Sequence, residues 1–112
     1  MKIYLAGPMR NIPEFNFPAF YDAALDLRRQ GHTVFSPAER DEKRYGRGFT
    51  HGTQGDLAEI PQFDLRAALK MDVMWICEHA EAIYLLPGWE RSRGATAERA
   101  LGIALGLEIH EL

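Results

Sequence analysis

Apolar residues in this chain fall into two kinds of run. Four are short and nearly continuous: Lys2 to Ala6, ended by Gly7-Pro8; Thr33-Val34-Phe35, shortly after Gly31; Ala82 to Leu86, ended by Pro87-Gly88; and Leu107 to His110, after Gly106. Continuity rather than alternation predicts strands covered on both faces, as in a parallel sheet. Three longer segments carry helical spacing. Asn16 to Arg29 has Phe17, Phe20, Ala24 and Leu27, with Pro18 near the first turn and Gly31 past the end. Pro61 to Ala80 has Leu65, Leu69, Val73 and Ile76; Gly94 to Leu105 has Ala97, Leu101 and Leu105, with Gly106 as the stop. The order β-α-β-loop-α-β-α-β predicts an α/β fold with right-handed crossovers and a small doubly wound parallel sheet of about four strands. Ligands of such sheets sit beyond the carboxyl ends of the strands, near the switch in strand order. Those ends are Gly7-Pro8-Met9-Arg10 and Pro87-Gly88-Trp89.

One segment breaks the pattern. Arg40-Asp41-Glu42-Lys43-Arg44 leads into Tyr45, four glycines and His51 without any hydrophobic period. Residues 40–60 are therefore expected to be an insertion, either a tolerated surface loop or a lid over a ligand.

Residues 1–112 are expected to form one domain. For 12.7 kDa, roughly 6,200 Å² of folded surface replaces roughly 18,400 Å² in the unfolded chain. That is enough burial for a core without disulfides. A hydrophobic content of 46% excludes disorder. No run approaches the length of a membrane span, and the four apolar residues between Lys2 and Gly7 are too few for a signal-peptide core. The net charge is −3, divided as +1 over residues 1–56 and −4 over residues 57–112. No basic stripe is present, which argues against a nucleic-acid polymer as partner. A single nucleotide needs only one or two cations and a few amides. Cys77 is alone, so no internal disulfide or cysteine zinc site can form, and a reducing cytoplasm fits. Its apolar surroundings favour a packed, inert thiol over a reactive one. His32, His51, His79 and His110 lack metal-ligand spacing, so no metal is expected.

Two carboxylates stand out. Leu65, Leu69, Asp72 and Ile76 fall at i, i+4, i+7 and i+11, which places Asp72 in an apolar stripe. Glu98 shares a stripe with Leu101 and Leu105. Neither has an oppositely charged residue three or four positions away. A buried unpaired carboxylate costs several kcal/mol or takes up a proton, so each must line a cleft or find a partner across the fold. Each alone reads as a rim carboxylate; together they resemble the paired carboxyls of glycosidic chemistry, one nucleophile and one acid/base. Ser92 is placed to cap the last helix, and Ser92-Arg93-Gly94 is either that cap or an anion site for one phosphate. Tyr4 is either core or a hydroxyl aimed at the cleft. Arg10 is either a contact for phosphate or carboxylate or a solvated loop residue.

Lys2-Ile3-Tyr4-Leu5-Ala6-Gly7-Pro8-Met9-Arg10, Asp72 ahead of Ala82-Ile83-Tyr84-Leu85-Leu86, and Ser92-Arg93-Gly94-Ala95-Thr96-Ala97-Glu98 resemble the nucleoside 2-deoxyribosyltransferase family. The likeness is nearest to small phage and bacterial proteins that open with a similar strand. Relatives that hydrolyse deoxynucleoside 5′-monophosphates share the Ser-x-Gly-x-x-x-Glu spacing. It covers most of the chain except Arg40 to Ile60. The resemblance implies a flavodoxin-like, Rossmann-like domain that cleaves or transfers the N-glycosidic bond of a 2′-deoxyribonucleoside or its 5′-monophosphate. It implies Glu98 as nucleophile, Asp72 as the acid that protonates the leaving base, and Tyr4 as the residue that positions Glu98. Gly7, Met9, Arg10, Ser92 and Gly94 would line the substrate and phosphate site.

This chemistry needs no cofactor. Glu98 is expected to stay ionised near a helix N-terminus, and Asp72 to hold its proton in an apolar setting. A non-catalytic nucleotide-binding or sensing module on the same scaffold is the alternative. Phe63, Met71, Met74 and Trp75 lie off the main stripe of the middle helix, so a homodimer through that helix is expected, with a second copy completing the site.

Overall fold

The four apolar runs pair into one parallel sheet in the computed structural model, which describes residues 1–112. β1 (Lys2–Ala6), β2 (Thr33–Phe35), β3 (Ala82–Leu85) and β4 (Glu108–Glu111) lie in the order β2-β1-β3-β4. Tyr4 pairs with Phe35 on one side and Ile83 on the other, so β1 is central. The helices are α1 (Phe17–Arg29), α2 (Pro37–Tyr45), α3 (Leu65–His79) and α4 (Arg93–Ala104). The fold is α/β and doubly wound, with flavodoxin-like strand order and its switch point between β1 and β3.

Alternate residues of the strands supply two cores. Ile3, Leu5, Val34, Ala82 and Leu86 pack with Phe17, Phe20, Ala24 and Leu27 of α1. Tyr4, Ala6, Ile83 and Leu85 face Ile76 of α3 and Ala95 of α4. Both faces of β1 and β3 are covered, which is why these strands read as unbroken apolar runs. The edge strand β4 carries exposed Glu108, His110 and Glu111, charges that discourage pairing with another sheet. No helix is long and apolar enough to cross a membrane.

Two glycines set the close approaches. A Cβ on Gly7 would lie 2.7 Å from Leu86 Cβ, so the ends of β1 and β3 converge only because position 7 has no side chain. A Cβ on Gly102 would lie 2.6 Å from Ile83 Cγ1. This lets α4 sit hard against β3, and Glu98, one turn earlier on the same face, follows it towards the sheet.

Several expectations are corrected. Residues 37–45 are a helix, not part of a loop or lid. Pro37 opens it, and its inner face is Pro37, Ala38 and Asp41; the charged Asp41 in an inward position hides the period. The bidentate Arg28–Glu39 pair, with both contacts at 2.6 Å, ties α1 to α2. In α3 the buried residues are Ala68, Asp72 and Ile76, whereas Leu65 and Leu69 are exposed. Asp72 is buried as expected, but its stripe runs through an alanine. In α4 the buried residues are Ala95, Glu98 and Gly102, and Leu105 is exposed. Cys77 is exposed rather than packed. Phe63 precedes α3 and packs towards the α1-side core and Tyr45, and Trp75 is half-buried against Phe35.

Candidate functional site

Four elements deliver one polar cluster on the α3/α4 side of the sheet. β1 contributes Tyr4, α4 contributes Glu98, α3 contributes Asp72, and α2 contributes Arg40 and Asp41. Tyr4 is 0% exposed, Glu98 6% and Asp72 7%. The Tyr4 hydroxyl donates to Glu98 Oε2 at 2.6 Å, and Asp72 lies near enough for its charge to act on Glu98. Arg40 Nη1 donates to Asp72 Oδ1 and, at 3.1 Å, to the Ala68 carbonyl. Its Nε donates to Asp41 Oδ1 at 2.8 Å. The guanidinium lies 5.8 Å from the centre of the Phe35 ring, and Phe35 stacks on Tyr4 and Trp75 at 5.6 and 5.1 Å. The structure thus unites Tyr4, Asp72 and Glu98, and resolves how Asp72 tolerates burial: its partner comes from across the fold.

Burial dominates the electrostatics. It raises the Glu98 carboxyl well above its ordinary value, the Asp72 charge adds to the rise, and the Tyr4 hydrogen bond opposes it. Burial also raises Asp72, against the charge and hydrogen bond of Arg40. Asp41 is raised by burial to about 6, despite Arg40 beside it. Burial weakens the hold of Arg40 on its proton, but Asp72 and Asp41 more than restore it. Burial and then Glu98 push the Tyr4 hydroxyl well above 10.0, so it remains a donor. For Glu98 burial works against the ionisation expected from a helix start. Desolvation of a nearly enclosed carboxyl outweighs a helix-end effect that fades within a turn.

The residues assigned to phosphate lie apart from this cluster or at its margin. Ser92 caps α4, its Oγ accepting from the Ala95 amide at 3.1 Å. Gly94 is exposed, and an open pocket of about 370 Å³ beside this helix start is lined by Glu90, Arg91, Ser92, Arg93, Thr96, Ala97 and Ala100. Glu98 faces the other way, into the sheet. Arg10 is exposed on the loop after β1. Met9 packs towards the α1-side core, across the sheet from the carboxyls, because the chain crosses to that face as it leaves β1. Gly7 serves the approach to Leu86. A further pocket, about 250 Å³ between Glu14, Phe17, Tyr21 and His51, is not part of the cluster either.

Sequence reasoning missed Arg40, Asp41, Phe35 and Trp75 as members of the site. Ser36-Pro37, a helix-cap residue followed by proline, was the available signal for α2. With that helix recognised, the charge run acquires an inward face.

A family model described as a domain of unknown function, DUF4406, matches residues 1–111, and the chain belongs to this family. Comparison with the curated proteins and with the solved structures gives no match.

Proposed function

We propose that this protein breaks the N-glycosidic bond of a 2′-deoxyribonucleoside or its 5′-monophosphate, by hydrolysis or by transfer to another base. The observation that carries this reading is the pair of enclosed carboxyls, Asp72 and Glu98, brought by two helices to the same face of the sheet, Glu98 held by the Tyr4 hydroxyl and Asp72 by Arg40. Two neighbouring carboxyls of unlike environment are equipment for nucleophilic displacement at an anomeric carbon. Glu98, as the carboxylate, attacks C1′ and forms an ester. The C1′–N bond breaks, and the departing base nitrogen takes the proton of Asp72. Water then attacks C1′, its proton passes to Asp72, and Glu98 leaves as the carboxylate; in transfer a second base takes the place of water. Tyr4 holds the Glu98 oxygen, and the half-buried Phe35 and Trp75 rings offer apolar faces to a base. Ser92, Gly94, Gly7 and Arg10 are the groups nearest in character to a phosphate site.

The test is chromatography of free base after incubation with each deoxynucleoside and its monophosphate, alongside the Glu98→Gln protein. Release by the wild type and none by the variant is expected. Tight nucleotide binding without release of any base would overturn the enzyme reading in favour of a nucleotide-binding module, which the near-complete burial of Glu98 favours as second reading. The proposal includes a cytoplasmic setting and a homodimer through α3, where Leu65, Leu69, Met71 and Met74 are exposed. Sedimentation at micromolar concentration checks the dimer; a lone 12.7 kDa species refutes it.

A further inference from the structure

The cluster contains three carboxyl groups, Asp41, Asp72 and Glu98, and one cation that bonds to any of them, Arg40. That cation is unevenly shared. It bonds to Asp41 and to Asp72, while the hydrogen-bond partner of Glu98 is the neutral hydroxyl of Tyr4. Two enclosed neighbouring carboxyls oppose each other's ionisation, so one of the pair retains a proton. The proton belongs on the member that lacks the cation.

We propose that Arg40 is a positioning residue that assigns the proton of the carboxyl pair: bonded to Asp72, it keeps Asp72 ionised and leaves Glu98 neutral, so the site rests in an idle state. This deepens the glycosidase reading and rests on it for its meaning, because attack by Glu98 requires the opposite distribution. The Arg40–Asp72 contact then has to open in each turnover, and one proton passes from the Glu98 carboxyl to the Asp72 carboxylate with no other change in charge. Arg40 is suited to such release. It is carried by a nine-residue helix that begins one residue after the shortest strand, β2, and leads into the long connection to α3. The groups acting on the pair are Tyr4 from β1, Arg40 from α2, and each carboxyl on the other. Asp41 and, through it, Arg44 act on the cluster from α2. Phe35 of β2 is uncharged.

The test is carboxyl ¹³C NMR of the whole protein near neutral pH, with signals assigned through Asp72→Asn and Glu98→Gln. In the wild type the Asp72 signal is expected at the ionised position and the Glu98 signal at the neutral one. In Arg40→Gln the Asp72 signal should move to the neutral position, and in Arg40→Lys it should return. A wild-type spectrum with Asp72 neutral and Glu98 ionised overturns the proposal, whether or not an Arg40 variant folds. A folded Arg40→Gln protein, judged by circular dichroism, with unchanged signals also overturns it and makes Arg40 a structural tie. The glycosidase reading fails separately, if no deoxynucleotide releases a base; the carboxyl signals are unaffected by that result.

Discussion

The two faces of the sheet are made from alternate residues of the same strands, yet they differ in kind. On the α1 side, Ile3, Leu5 and Val34 meet Phe15, Phe17, Phe20 and Leu27, an apolar layer. On the α3/α4 side a smaller apolar group, Tyr4, Ala6, Ile76, Ile83, Leu85 and Ala95, borders a guanidinium and three carboxyls. β1 serves both, giving Ile3 and Leu5 to one layer and Tyr4 and Ala6 to the other. The difference teaches how a chain of 112 residues can enclose ionisable groups: the larger apolar core lies on one face, and its burial can offset the unfavourable burial of polar groups on the other.

The largest expected contrast is between activity and stability at one residue of the polar face. Glu98→Gln should lower base release by about 10³-fold or more. Its thermal midpoint at neutral pH should hold or rise, because an amide replaces an enclosed ionisable group. Parallel rate and melting measurements check this, and a variant that retains the rate would break the assignment. The converse substitution on the apolar face, Phe20→Ala, should cost about 3–5 kcal/mol in urea unfolding, since Phe20 is fully buried. A loss under about 1 kcal/mol would deny that burial on this face offsets the other.

The third prediction concerns pH. A carboxyl raised in the folded state binds its proton more tightly there than when unfolded, so the fold weakens as pH rises between the two values. For Asp41 that window runs from 3.8 to about 6, worth about 3 kcal/mol in all. Below the window the term is absent, and above it the loss is complete. Asp72 and Glu98 change stability in the same direction. Urea unfolding across this range should show stability falling with pH, and less steeply in Asp41→Asn; an equal slope in the variant contradicts the assignment. The smallest effect is that of Tyr4→Phe, about 1 kcal/mol for one hydrogen bond. It should also raise Glu98 further, because the lost donor favours the charged form. Carboxyl NMR reads that shift, and a Glu98 signal that titrates lower than in the wild type would be the contrary result.

The strands, and the carboxylates Asp72 and Glu98, were legible because each rests on a local cue, whereas Tyr4 was singled out only by the family resemblance. A continuous apolar run ended by Gly-Pro is a covered strand wherever it packs, and a carboxylate without a local partner on an apolar helix is out of place in any fold. The phases of the helices were not legible in the same way. α3 carries apolar residues all round, so Leu65 and Leu69 were as eligible for burial as Ala68. The sheet accepted the small residue because it lets the helix come close. α2 stayed hidden because its inner face includes Asp41, whose burial makes sense only beside Arg40 and Asp72.

By itself, then, the sequence determined the α/β order, the sheet-forming segments and which carboxyls had to be accounted for, since these follow from short-range pattern and the cost of burying charge. The tertiary structure alone decided their partners. Arg40 reaches Asp72 across 32 positions and Tyr4 reaches Glu98 across 94. Which carboxyl keeps a proton depends on the burial and the charge that meet it there. No stretch of chain contains that information, because a carboxyl's ionisation is set by the distance to groups that only folding brings near.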